Sequence, residues 1–391
     1  MTLDRAEPIC VFLCGDVMTG RGIDQALPCP GNPVLYESSV RDAREYVRLA
    51  ERVNGPIPQP VEGAYLWGDA LEALQRAGTD VRIINLETSI TASEEAWPGK
   101  GIHYRMHPRN IGCLTAAGID CCCLANNHVL DWGYAGMADT LQTLDAAGVA
   151  HAGAGGNAAA AVAPAVLDVA GKGRVVVCSF GATTGGIPRE WGATNDRPGV
   201  NLLPDLSEAT ARTVGRRMRQ TARPGDVIVA SIHWGPNWGY AIPDEQIAFA
   251  HRLVEEGVAI VHGHSSHHVK AIEVYRERLI LYGCGDSLDD YEGIGGYEAF
   301  RNDLRLIYLI RVDPRQGRLV GAQLVPLQVR QFRLQRAAEA DATWLCHLLN
   351  RLGSPFGTQM ELADDPSITL RWQERQPGSS TSGRRFHSSH S

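Results

Sequence analysis

Two short stretches carry most of the chemistry open to this chain. One reads His233-Trp234-Gly235 and the other His262-Gly263-His264-Ser265-Ser266-His267-His268, and each follows an apolar run, 227–232 and 258–261. Imidazole is the commonest metal-ligating side chain and the natural acid/base near neutral pH. Between the two, residues 243–256 place Ile247, Ala250, Leu253 and Val254 at helical spacing, with Pro243 just inside the start and Gly257 just past the end. The resulting strand–helix–strand unit delivers both histidine groups to strand C-termini, where open α/β sheets bind ligands.

Three more apolar runs end the same way. Residues 9–15 stop at Asp16, residues 81–86 (VRIINL) stop at Glu87, and residues 119–125 stop at Asn126-Asn127-His128, with Asp131 three positions on. A lone Asp or His after a strand is usually a cap or turn residue. Five tips in chain order are not explained by packing. They supply Asp16, Glu87, Asn127 with His128, His233, and His264 with His267. Carboxylate, amide oxygen and imidazole together suit a hard or borderline divalent cation.

The elements that must position these tips alternate between apolar strands and amphipathic helices, which predicts an α/β protein. Further strands are expected at 165–169, 175–180, 271–275, 279–282, 304–312 and 319–329, and helices at 67–77, 109–117, 137–147, 206–220 and 340–352. The Pro- and Gly-rich stretch 28–60 reads as a rim loop with one helical piece at 40–51, and the tail 376–391 has the composition of a disordered segment.

At 391 residues, 44% hydrophobic and 21% charged, the chain has the make-up of a soluble globular protein. A net charge of −7 argues against a dedicated nucleic-acid binder. No run of eighteen apolar residues predicts a membrane span, and the N-terminus lacks the pattern of a secretory signal. Ten cysteines include no Cys-x-x-Cys pair, and Cys121-Cys122-Cys123 lies inside an apolar strand. Buried, reduced thiols and a cytoplasmic location are therefore expected.

Gly15-Asp16-Val17-Met18, Asn85-Leu86-Glu87, Ala125-Asn126-Asn127-His128 with Asp131, His233-Trp234-Gly235 and Gly263-His264-Ser265-Ser266-His267 resemble, in order and spacing, the motifs of the bacterial capsule-synthesis family (CapA-like, poly-γ-glutamate synthesis). That family belongs to the calcineurin-like metallophosphoesterase superfamily, and the likeness runs over residues 9–287. It implies a four-layer α/β/β/α sandwich with the site at one edge of the paired sheets. The catalytic domain would cover 1–330, a helical extension 331–375 and the tail 376–391. Carried over motif by motif, Asp16, Glu87, Asn127, His233, His264 and His267 would hold metal, and His128 would be the acid/base oriented by Asp131.

This chain also departs from the family pattern. Met18 stands where the superfamily's Asp-x-His has its histidine, so one tightly bound divalent ion (Mn, Fe, Zn, Mg or Ca) is expected rather than two. Asn237 and Trp238 stand where a Glu is common after His-Trp-Gly, Ser266 replaces a proline, His268 is extra, and Gly285-Asp286-Ser287 replaces Gly-Asn-Phe. These changes remove ligands and add proton-transfer groups, so His268 and Asp286 join the catalytic candidates. Arg21, His103, His107, Trp234 and Asn237 are the candidate substrate contacts, although surface or core positions explain several of them equally well.

The leading expectation is a soluble metal-dependent hydrolase acting on a phosphoester or related anionic substrate. The first alternative is a metal-assisted peptide epimerase that inverts an amino-acid Cα through His/Asp pairs. The second is a non-catalytic protein of capsule or poly-γ-glutamate assembly. The expected partner is a small-molecule or peptide substrate.

Overall fold

The strand-forming runs are apolar at consecutive positions because their two faces enter different cores. In β1 (Ile9–Val17), Val11 and Leu13 face one hydrophobic layer and Phe12 and Cys14 another. A strand covered on both sides has no face for polar residues.

The computed structural model describes residues 7–373. β1, β2 (Val81–Leu86), β3 (Cys121–Cys123) and β4 (Ala150–Ala152) pair in parallel in a first sheet. The chain then builds a second sheet from β5 (Ala165–Val169), β6 (Gly173–Gly181), β7 (Asp226–His233), β8 (Ile260–His264), β9 (Ile272–Tyr275) and β10 (Arg278–Leu281). Its order is β9-β10-β8-β7-β6-β5. The remaining strands return to the first sheet: β11 (Asp286–Leu288), β12 (Leu304–Val312), β13 (Leu319–Arg330), β14 (Arg333–Arg336), β15 (Thr358–Leu362) and β16 (Ile368–Trp372). The path there is β15-β16-β13-β12-β1-β2-β3-β4, with β11 beside β1 and β14 beside β13.

Val11, Leu13, Val175, Val177, Val227 and Val229 fill the space between the sheets. On the outer face of the first sheet, α1 (Asp69–Ala77) and α2 (Gly133–Ala146) bring Leu74, Met137 and Leu144 against Phe12, Ile84 and Cys122. On the outer face of the second, α3 (Glu208–Thr221) and α4 (Asp244–Glu255) bring Met218, Phe249 and Leu253 against Val176, Ile228 and Ala230. The fold is a four-layer α/β/β/α sandwich, as the motif resemblance implied.

Some expectations change. The third strand is only Cys121–Cys123, because Asn126 turns back and its side-chain amide bonds the Leu86 carbonyl at 2.8 Å. Segment 331–375 is not simply helical. Its helix α5 (Glu339–Gly353) is accompanied by three strands, and in β15 Thr358 and Met360 are buried while Gln359 and Glu361 are exposed. That two-residue alternation is the mark of a half-buried strand. Leu345 and Leu349 of α5 enter the inter-sheet core. The tail 376–391 lies outside the described residues, as does the expectation that it is disordered. Cys121, Cys122 and Cys123 are buried and unbridged. No helix among the described residues is long and apolar enough to cross a membrane.

The two sheets are locked together at the tips. His262 Nε2 lies 2.8 Å from the Cys14 carbonyl, tying β8 to β1, and β11 pairs with β1 so that Asp286 stands in register with Asp16. Gly15 makes this possible, because a Cβ there would overlap the Gly285 carbonyl oxygen. Gly15→Ala should therefore lower stability by about 3 kcal/mol, the upper part of the overpacking range. Chemical denaturation checks this, and a midpoint equal to wild type would contradict the close approach.

Candidate functional site

Every strand tip singled out in the sequence arrives at one edge of the sandwich. Asp16, Glu87, His233 and His264 are almost fully buried, His128 and His267 are 7% and 8% exposed, and Asp286 comes in beside Asp16 from β11. Asp16, His233 and His264 offer atoms that lie within 4.8 Å of one another, and so do Asp16, His267 and Asp286.

An amide relay aligns the carboxylates. Asn126 Nδ2 donates to Asn85 Oδ1 at 3.0 Å, and Asn85 Nδ2 donates to Asp16 Oδ1 at 2.7 Å and to Glu87 Oε2 at 3.2 Å. Ser265, held at φ 100° where a side chain is strained, points its N–H at Asp16 Oδ2, 3.2 Å away. Burial, then the nearby Asp286 carboxylate, pushes Asp16 up to about 7. Burial and Asp16 raise Glu87 well above the usual carboxylate range.

The imidazoles divide into two kinds. His233 and His264 meet Nδ1 to Nδ1 at 3.0 Å, and His264 Nε2 reaches the Ser231 hydroxyl at 2.9 Å. Burial, together with neighbouring imidazoles, holds both rings far below their ordinary value and hence neutral. His128 and His267 are each backed by a carboxylate: His128 Nδ1 to Asp131 Oδ2 at 2.7 Å, His267 Nδ1 to Asp286 Oδ1 at 2.8 Å. Burial wins at His128, which drops to about 4 despite Asp131. At His267 burial also pulls downward, but Asp286 overcomes it and the net shift is upward.

Three atoms here are buried without a hydrogen-bond partner: Asn127 Oδ1, His233 Nε2 and Asp286 Oδ2. Orphaned donor atoms beside two strained carboxylates and two neutral imidazoles are what a divalent cation would satisfy, so the side chains fit a metal.

The other predicted residues are placed as follows. Asn237 is at the site, its Nδ2 3.0 Å from His267 Nε2. His268 lies beside the cluster, with its ring stacked on Phe300. Trp234 is a core residue, donating to the Tyr282 carbonyl and packing against Phe249 beneath the second sheet. His103 is buried with Nε2 on the Trp97 carbonyl, and His107 caps a turn through Arg109 N–H. Arg21, expected to meet an anionic substrate, is instead saturated: it pairs with Asp290 and Glu37 and lies over the Tyr46 and Tyr104 rings. A cavity of about 600 Å³ between α3 and β6 contains none of these residues.

Lys100 escaped the sequence reading. Its ammonium pairs with Asp131 and reaches His128 Nδ1 at 2.9 Å, from a loop with no periodicity to mark it. Asn85 and Asn126 were visible in the motifs but carried no assigned role.

The sequence model of the family described as "Bacterial capsule synthesis protein PGA_cap" matches residues 10–291. A probable polyglutamine synthesis accessory protein of Mycobacterium tuberculosis (strain H37Rv) is 50% identical over 360 residues, 92% of this chain and 95% of that protein. The capsule biosynthesis protein CapA of Bacillus anthracis is 24% identical, over 73% of this chain and 60% of its own length. Among solved structures, a 5'-nucleotidase precursor from Thermus thermophilus superposes with a TM-score of 0.46 at 14% identity, covering 82% of this chain and 54% of its own, so this chain spans about half its length.

The saturation of Arg21 yields a test. Arg21→Met should cost about 3–5 kcal/mol of stability, the usual result of leaving buried carboxylates unpaired. Denaturation curves measure it, and an Arg21→Met protein as stable as wild type would return Arg21 to the substrate-binding role.

Proposed function

The chain belongs to the bacterial capsule synthesis protein family, and from that premise we propose a metal-assisted acid–base enzyme that inverts a carbon next to a carbonyl in a peptide or amino-acid substrate. The observation that carries this reading is the pair of imidazole–carboxylate dyads at opposite ends of the carboxylate row. His128 with Asp131 stands at the Glu87 end, with Nε2 3.7 Å from Glu87 Oε1. His267 with Asp286 stands at the Asp16 end.

Epimerisation needs one group to take a proton and another to give one on the opposite side. The dyads are suited to that division, since like groups whose environments push them apart are the mark of an acid–base pair. His128 is neutral, and Asp131 holds its Nδ1 so that Nε2 can accept a proton. His267 is biased toward the protonated form by Asp286 and can supply one. Lys100 fixes Asp131 and so the His128 ring. Asp16, Glu87, Asn127, His233 and His264 would hold the cation, which when bound polarises a carbonyl and stabilises developing negative charge.

Hydrolysis of a phosphoester is the second reading. It is favoured by His128 standing beside the orphaned Asn127 Oδ1 and His233 Nε2. It ranks lower because the cations acting on the His128 dyad, Lys100 and Arg21, are already paired with Asp131 and Asp290. An accessory role in polyglutamine or capsule synthesis, as the names of the relatives suggest, is compatible with either.

His264→Ala should lose bound metal, measured by elemental analysis of purified protein, while His128→Asn should keep it. A His128→Asn protein without metal would make His128 a ligand.

In deuterated water, wild type should invert peptide substrates and incorporate deuterium at Cα. His128→Asn and His267→Asn should each lose about 10²- to 10⁴-fold in inversion. Each should still exchange deuterium into one epimer through the surviving dyad. Phosphate release without Cα exchange would establish the hydrolase reading, and neither activity would leave the accessory role.

A further inference from the structure

One charged group near the site has no counterpart in this scheme. Lys270 follows β8 and is 2% exposed. Its backbone N–H donates to the Gly283 carbonyl at 2.9 Å, and its stem lies over Gly283, which has no side chain to obstruct it. The ammonium has no hydrogen-bond or ion-pair partner among the described residues. The ammonium is not among the fully enclosed unpartnered atoms, so it keeps a narrow opening through which a counter-charge can reach it.

The Gln246 side-chain amide and the His268 ring are the polar groups near it. A Cβ placed on Gly235 would lie 3.8 Å from Lys270 Nζ and 3.0 Å from the side-chain amide nitrogen of Gln246, so both approach the same turn. His268 lies two residues before Lys270, on the same side of a stretch held extended by the Val269–Cys284 bridge. Its Nδ1 is 3.0 Å from the Val269 carbonyl, and its Nε2 is buried without a partner. The Tyr240 ring packs 4.7 Å from the His268 ring, and its hydroxyl is also buried and unpartnered. Arg351 lies over the outer side of Tyr240, 5.9 Å from the ring centroid, with no carboxylate partner among the described residues. In a chain of net charge −7, an ammonium and a guanidinium without carboxylate partners beside two orphaned polar atoms are a specific feature, with Asp286 acting on His268 only from the cluster side.

We propose that Lys270, with the Tyr240 hydroxyl and the Gln246 amide, forms an oxyanion-binding pocket beside the candidate site that receives a carboxylate or phosphate group. Burial alone lowers Lys270, to about 8, so it remains largely charged at neutral pH. An incoming oxyanion supplies the missing counter-charge, and charge-assisted hydrogen bonds of this type are the strong ones. The pocket adjoins the acid–base cluster through adjacent residues: His267 belongs to the cluster and His268 to the pocket wall, and Asn237 and Tyr240 share a loop. It is thus placed to hold an anionic end of a substrate while the cluster acts on another part. The inference stands whichever reaction the cluster performs.

The test uses thermal unfolding of the full chain at pH 7, titrated with inorganic phosphate and, separately, with acetate. A ligand that binds only the folded state raises its midpoint. Wild type should rise by about 2–4 °C with at least one anion. Lys270→Met should show no rise. Lys270→Arg should retain the rise, and Tyr240→Phe should need several-fold more anion for the same shift. A response to phosphate alone assigns a phosphate pocket, and one to acetate alone a carboxylate pocket. Anion binding at the Asp/His cluster would persist in Lys270→Met. An equal rise in wild type and Lys270→Met, or no rise in wild type, overturns the proposal. Should Lys270→Met fail to fold, a Tyr240→Phe titration identical to wild type overturns it as well.

Discussion

Three carboxylates, Asp16, Glu87 and Asp286, are packed at one edge of the sandwich with no arginine or lysine among the described residues hydrogen-bonded to any of them, and the local architecture is arranged around that repulsion. The Asn126–Asn85 relay and the strained N–H of Ser265 fix where the charges stand without cancelling them. The glycine contact between Gly15 and Gly285 and the bond from His262 to the Cys14 carbonyl keep the strands from spreading. A buried site with unmet charge is stable only if its frame is rigid, since any loosening would admit water and let the carboxylates separate.

The same region shows what a structural carboxylate looks like by contrast. Asp289 and Asp290 follow Asp286 within four residues, yet each is neutralised by its own buried guanidinium, Arg305 for one and Arg21 for the other. These pairs anchor the segment after β11 to the β12 and β1 sides of the first sheet. Asp286 has only an imidazole and keeps one oxygen unpartnered. Proximity in sequence therefore hides a division of labour, in which two acids hold the loop and the third faces the site.

Environment likewise separates histidines of the same type. His128 and His267 each have a carboxylate at hydrogen-bond distance, but Lys100 also reaches the His128–Asp131 pair and offsets the carboxylate's effect on the ring. Asp286 has no such competitor, and His267 is drawn toward protonation. Burial lowers both rings, but Lys100 adds to it at His128 while Asp16 and Asp289 add to Asp286 at His267, so two similar dyads become unlike.

The sequence by itself determined the strands of the second sheet, the central strands of the first and the residues at their tips, but not the first sheet's short and C-terminal strands at 150–152, 286–288, 333–336, 358–362 and 368–372. A strand buried on both faces is a largely apolar run, so 81–86 and 304–312 could be read directly, and the first polar residue after such a run marks the edge of the sheet. The ordered motifs also carried the family and the four-layer fold. Tertiary structure alone decided which polar groups meet. Asp286 reaches Asp16 across some 270 residues only because β11 pairs with β1, and a three-residue strand leaves almost no periodic trace. Lys100 comes from a loop, Arg21 is taken up by partners from three separate segments, and Trp234 turns into the core. Contacts between distant segments depend on how sheets and loops pack, which local spacing does not encode.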